Sequence, residues 1–128
     1  MLPTKKLIAQ AQEAREKAYA PYSHYRVGAA LLLDNGSIIQ GVNVENASYG
    51  ATLCAERSAV ASAVSQGFQT FKAIAIVTDS PHPAAPCGLC RQVLAEFAPT
   101  LPILLANIQG DVLETNLETL LPMQFTLK

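Results

Sequence analysis

A chain of 128 residues with 9 basic and 10 acidic side chains carries a formal net charge of −1, and half of it is apolar while only 15% is charged. That balance excludes a disordered chain, which is rich in charge and poor in apolar surface, and a protein that grips nucleic acid by its phosphates, which needs clustered Lys and Arg. The longest charge-free runs, Ser58 to Phe71 and Phe97 to Gly110, are 14 residues each, short of the roughly 20 apolar residues of a membrane span.

In chain order, Leu7, Ile8, Ala11, Ala14 and Ala18 fall at helical spacing with charges on much of the other face, which predicts a first helix stopped by Pro21. Val27 to Leu33 is a short apolar run, Asp34-Asn35-Gly36 a tight-turn signal and Ser37 to Asn43 a second extended stretch, together a hairpin. An irregular stretch follows from Ala47 to Thr52. Cys54 to Ser65 is rich in Ala and reads as a buried helix ended by Gly67. Ala73 to Thr78 reads as a central strand, Ser80 to Pro86 as a proline-rich loop, and Cys87 to Ala98 as a second inner helix stopped by Pro99. Pro102 to Ala106 is a strand, Gln109-Gly110-Asp111 a turn, Val112 to Thr115 a short strand, and Leu117 to Leu121 a helical turn before Pro122. Strands alternating with helices predict one α/β domain over residues 1–128, with helices on both faces of a sheet.

Lys5 and Lys6 are followed by Glu13, Arg15, Glu16 and Lys17 rather than by the apolar core of a signal peptide, so the expectation is a cytoplasmic chain. Three cysteines in that setting read as ligands or nucleophiles rather than as a disulfide framework. Six of the 19 charged side chains lie in the first 17 residues. A remainder so weakly charged fits a surface that partly faces other subunits, or simply a low-charge monomer.

The cysteines stand at Cys54, Cys87 and Cys90, the last two within Pro86-Cys87-Gly88-Leu89-Cys90 at a predicted helix start. Residues three apart share one side of a helix, so both sulfurs can face one ion. The partial positive charge and unpaired N–H groups of a helix N-terminus stabilise thiolates. Cys54 opens the other inner helix, and three sulfurs are the protein ligands a catalytic zinc needs when its fourth position is left to water. Two other readings stand beside this one on spacing alone. A redox dithiol would use Cys87 and Cys90, and a structural zinc site would be closed by a histidine, with His82 nearer to Cys87 than His24 is. Glu56, two residues from Cys54, suits the work of a proton carrier for a zinc-activated water, provided Cys54 lies at the very end of its helix. A first-turn carboxylate favoured by the helix dipole is the plainer reading of Glu56.

Cys54-Ala55-Glu56-Arg57 followed by Pro86-Cys87-Gly88-Leu89-Cys90-Arg91-Gln92 resembles the zinc-dependent cytidine deaminases. The likeness extends to Tyr19-Ala20-Pro21-Tyr22-Ser23, Val27-Gly28-Ala29-Ala30-Leu31, Gly41-Val42-Asn43-Val44-Glu45-Asn46-Ala47 and Leu120-Leu121-Pro122, so it covers nearly the whole chain. It implies a three-layer α/β/α fold with a mixed sheet of about five strands, and zinc-dependent hydrolytic deamination of cytidine and deoxycytidine in pyrimidine salvage. One Zn²⁺ per subunit would sit on Cys54, Cys87 and Cys90, with Glu56 moving protons between water, the ring nitrogen and the leaving amino group. Arg57 would hydrogen-bond a ligand thiolate, whereas Arg91 carries less of an argument. Asn43 and Glu45, two apart and on one face of a strand end, would hold the ribose, and Ala55 would join the substrate-binding residues.

The resemblance also implies a homotetramer with shared sites, in which Phe125 reaches a neighbouring subunit. Tyr25 takes the place of an aromatic that packs on the nucleoside, but Tyr25-Arg26 stands where Phe-Pro is usual. Tyr49 is assigned no role. Neither nucleic acid nor a membrane is an expected partner. The alternatives are a deaminase of a modified nucleoside or a blasticidin-type antibiotic and, from another class, a thiol–disulfide oxidoreductase.

Overall fold

Two apolar rows on one strand account for the layering. In the computed structural model, which describes residues 2–128, strand β1 (Gly28–Leu33) points Ala29, Leu31 and Leu33 to one side and Ala30 and Leu32 to the other, all buried. The first row packs against α2 (Ala55–Ser65) and α3 (Gly88–Phe97), and the second against α1 (Thr4–Arg15). The result is the expected three-layer α/β/α arrangement. The five-stranded sheet runs in the order β2 (Ile38–Val42), β1, β3 (Phe71–Thr78), β4 (Pro102–Asn107), β5 (Val112–Asn116). Only β3 and β4 are parallel, so the sheet is mixed as expected. Strand β3 lies at its centre and is buried along its length except at Lys72. A short α4 (Leu117–Leu120) follows β5.

Local chemistry sets most of the boundaries. Gly36 takes the positive φ that the β1–β2 turn requires, and the Asn35 side chain accepts from the Ser37 amide at 2.9 Å. Gly67 terminates α2 in the left-handed conformation, with Phe68 N–H donating to Ala63 O at 2.9 Å and Gly67 N–H to Val64 O at 3.0 Å. A Cβ at Gly41 would collide with Ala55 O and Ala59 N, so this glycine is what lets α2 lie directly on β2.

Three helix boundaries near the site differ from the sequence reading. The first helix stops at Arg15 rather than running on to Pro21. Tyr19 N–H donates to Asn43 O at 3.0 Å and Glu45 N–H donates to Tyr19 O at 2.9 Å, so Ala18 and Tyr19 leave the helical path to extend the chain beside Val44. Cys54 and Cys87 each stand one residue outside their helices, as N-caps in extended conformation.

Candidate active site and metal centre

The two N-cap cysteines place their sulfurs at neighbouring helix tips. Cys54 Sγ lies 3.9 Å from Cys87 Sγ, and Cys87 Sγ lies 3.4 Å from Cys90 Sγ, which sits in the first turn of α3. All three sulfurs fall within 4.8 Å of one another. Sulfurs about 2.3 Å from a tetrahedral zinc are spaced by about 3.8 Å, so the donor set fits that ion. Among the described residues this ligand cluster comprises the three cysteines, and neither His24 nor His82 belongs to it. A zinc closed by imidazole is therefore not what the geometry offers. A dithiol limited to Cys87 and Cys90 leaves the adjacent Cys54 unexplained.

Electrostatics favour anionic sulfur at this place. Arg57 Nη2 donates to Cys54 Sγ at 3.6 Å and to Thr52 O at 3.3 Å. The Cys90 thiol donating to Cys54, with Arg57 and Cys87 adding to it, overcomes burial and holds the Cys54 thiol down to about 5. Cys90, as the donor in that pair and itself buried, keeps its proton well above the ordinary thiol range. The contact with Cys54 in turn raises the Arg57 guanidinium. Two helix N-termini add their partial positive charge.

Glu56 is buried, with 5% of its surface exposed, in the first turn of α2 directly after Cys54. Because Cys54 is the cap and not a helical residue, the condition set by the two-residue spacing is met: both side chains border the same cleft. Burial pushes the Glu56 carboxyl above the ordinary carboxylate range, the charge on Cys54 pushes the same way, and its own backbone amide offsets part of the rise. A carboxyl raised above the ordinary carboxylate range is suited to give and take protons.

The cleft, of about 210 Å³, lies beyond the end of β3 and is mostly apolar. Tyr25, Asn43 and Ala55 line it, together with Thr78 and Ala84 from β3 and the loop after it. Asn43 is buried and each polar atom of its amide has a partner: Oδ1 accepts from Val27 N–H at 2.9 Å and Nδ2 donates to Tyr25 O at 2.8 Å. Glu45 borders an adjoining hollow with Tyr49, and Thr52 lines both spaces. Its Oε1 accepts from the amides of Tyr22 and Ser23 at 3.0 and 3.1 Å, and Oε2 accepts from the Ser23 hydroxyl. The Ser23 hydroxyl, helped by those amides and by His24, lowers the Glu45 carboxyl despite the opposing desolvation.

Strand spacing had put Asn43 and Glu45 on one face. Both lie past the end of β2, where Val44 bridges to Tyr19 and Leu53, so they open onto neighbouring rather than identical spaces. Phe125 is exposed, lies beside Ala95 and Pro99, and is not among the residues lining the cleft of its own chain. Two contacts lie outside the sequence reading, which names Arg91 without a partner and Ser80 only as the start of a loop. Arg91 donates through Nε to Pro86 O at 2.8 Å and through Nη1 to Leu120 O at 2.6 Å, which ties the segment before Cys87 to α4. Ser80 meets the Tyr25 hydroxyl across the end of the cleft. A position adjoining a ligand motif was the only signal available for Arg91, and nothing local marked Ser80.

The profile of the family described as "Cytidine and deoxycytidylate deaminase zinc-binding region" matches residues 1–104. The cytidine deaminase of Sporosarcina psychrophila is 50% identical over 126 residues, which covers 98% of this chain and 93% of that protein. That of Halalkalibacterium halodurans is 53% identical over 121 residues, covering 94% and 92%. The crystal structure of cytidine deaminase from Burkholderia pseudomallei superposes with a TM-score of 0.94 at 51% identity, over 97% of this chain and 100% of that one.

Proposed function

Because the chain belongs to the zinc-dependent cytidine deaminases, we infer that it deaminates cytidine, and also deoxycytidine, hydrolytically in one catalytic domain spanning residues 1–128. The observation that carries this reading is the buried carboxyl of Glu56 placed directly after Cys54, beside a cleft bordered by a triad of sulfurs. Cys54, Cys87 and Cys90 would hold zinc, which supplies the Lewis acidity that makes a water molecule nucleophilic near neutral pH. Glu56 takes a proton from that water and delivers it to the ring nitrogen beside the amino-bearing carbon, while the hydroxyl adds to the carbon. Glu56 then moves the hydroxyl proton to the amino nitrogen, the carbon–nitrogen bond breaks, and ammonia and the uracil nucleoside are released.

Arg57 offsets the negative charge of three thiolates, which would otherwise weaken the pull on water. The ribose extends from Asn43 past Thr52 toward Glu45, and the adjoining spaces these residues border support that path. Ala55 and Tyr25 form walls for the base. The chain works as a homotetramer in which Phe125 of one subunit completes the site of another. Its exposure on the surface of its own chain and the exposure of Tyr49 support this assembly. Among the described residues no helix is long and apolar enough to cross a membrane. Pyrimidine salvage in the cytoplasm is the role that fits this activity.

The experiment is Glu56→Gln, with bound zinc measured per chain and cytidine turnover followed by ultraviolet absorbance. The variant should keep its zinc and lose a factor of about 10³ or more in turnover, within the usual worth of a proton carrier. Undiminished turnover would remove Glu56 from the mechanism.

A further inference from the structure

The register between β1 and β3 continues past the last paired residues into the mouth of the cleft. Gly28 lies opposite Val77, so the same register carried outward sets Val27 against Thr78, Arg26 against Asp79 and Tyr25 against Ser80. Alternation along a strand then assigns Tyr25, Val27, Thr78 and Ser80 to the side of α2 and α3, and Arg26 and Asp79 to the side of α1. The side chains obey this assignment. Arg26 pairs with Glu16 at 3.6 Å and Asp79 pairs with Arg15, both at the end of α1. Tyr25, Val27 and Thr78 line the cleft, and the Tyr25 hydroxyl lies 2.5 Å from Ser80 Oγ. The outermost rung is thus a hydroxyl–hydroxyl hydrogen bond joining the segment before β1 to the loop that leads to Cys87.

Each half of the rung is braced from behind. The Tyr25 amide donates to Ser23 Oγ at 3.0 Å, and Ser23 Oγ donates onward to Glu45. The Tyr25 carbonyl accepts from Asn43 Nδ2 at 2.8 Å. Beyond Ser80, Pro81 O accepts from Asn107 Nδ2 at 3.0 Å, while Asp79 is held by Arg15. Three successive residues at the start of the loop are therefore fixed from three different elements. Ser80 is the one whose partner is a wall of the cleft.

We propose that the Tyr25–Ser80 pair is a positioning element for nucleoside binding, which locks the phenol ring as a fixed wall before the substrate arrives. The proposal rests on the deaminase reading above. A ring already pinned loses little freedom on binding, and preorganisation of this kind appears as affinity. The pair hydrogen-bonds neither to Glu56 nor to any of the three sulfurs, so its loss weakens substrate and transition state alike. That raises KM and leaves kcat in place.

The test compares zinc-loaded wild type, Tyr25→Phe, Ser80→Ala and the double variant in steady-state deamination of cytidine, with Tm recorded for each. Each single change should raise KM by about two- to tenfold, the span expected for one net hydrogen bond, with kcat held within a factor of about two. The double variant should be no worse than either single one, because both remove the same bond. An unchanged KM in Tyr25→Phe overturns the proposal, as do effects that multiply in the double variant, or a lowered Tm with no change in KM. Wild type that takes up zinc but does not deaminate cytidine would instead overturn the deaminase reading itself.

Discussion

Arg57, in the first turn of α2, donates at 3.6 Å to the sulfur of Cys54, the cap residue three positions before it. That spacing is the helical turn, which brings i and i+3 side chains together on one face. A cation thus reaches the sulfur cluster without standing among the residues that line the cleft.

Removing that cation should weaken both metal and turnover. Arg57→Ala is expected to lower zinc affinity or kcat by about 10- to 100-fold, the usual effect of losing a group that hydrogen-bonds a metal ligand. Competition with a chelator and steady-state kinetics measure the two. A variant with wild-type zinc affinity and wild-type kcat would reduce Arg57 to a surface arginine.

Glu45 offers a pH readout away from the sulfurs. Its carboxyl is lowered in the folded chain, chiefly by the Ser23 hydroxyl. A group with a depressed folded pKa contributes stability above its unfolded value of about 4.3 and loses it as pH falls through the folded value. The Tyr22 and Ser23 amide resonances should therefore hold steady down through the ordinary Glu range and shift only below it. In Glu45→Gln that acid step should vanish. Movement of those resonances in wild type at the normal Glu pKa would contradict the hydrogen bonds described.

Gly41 carries the seating of α2. Gly41→Ala puts a methyl group against Ala55 O and Ala59 N, backbone atoms that cannot rotate away. Overpacking of this kind costs about 1–3 kcal/mol, and the displacement would carry Cys54 and Glu56 with it. A Tm lower by several degrees together with reduced zinc retention is the expected pair of results, read by calorimetry and metal analysis.

The pairing of Arg15 with Asp79 should show an asymmetry between single and double replacement. The Arg15 side chain is 9% exposed and that of Asp79 26%, so Asp79→Ala takes one of two carboxylates from a largely buried cation, which keeps Glu16 at 3.1 Å. A loss of about 1.5–3 kcal/mol is expected, the worth of a hydrogen bond to a charged group, because Glu16 stays beside the guanidinium. Replacing both by apolar residues of similar volume should cost less than that single change. Denaturant unfolding of the three proteins settles the order.

Much of the site was legible because its signals are local. The C-x-x-C spacing, the helix start at Cys54 and the adjacent Glu56 and Arg57 depend on neighbours within a turn, where periodicity and capping act. The same holds for the strands, whose apolar runs lie within one or two residues of the observed ends. The stop of α1 at Arg15 was not legible. The residues after it follow a helical pattern, and only backbone hydrogen bonds to Asn43 and from Glu45, far along the chain, draw Tyr19 away.

The sequence by itself determined the order of elements, the spacing that brings three cysteines and the adjacent Glu56 to two helix starts, and the family. Each is written in residue types at short, regular spacing. Tertiary structure alone decided that Asn43 and Glu45 open onto adjoining spaces, that Phe125 faces away from its own cleft, that Arg15 pairs with Asp79, and that Tyr25 meets Ser80. The last two join residues more than 50 positions apart. Such contacts arise from strand register and the packing of helices on a sheet, and no local pattern of residues encodes them.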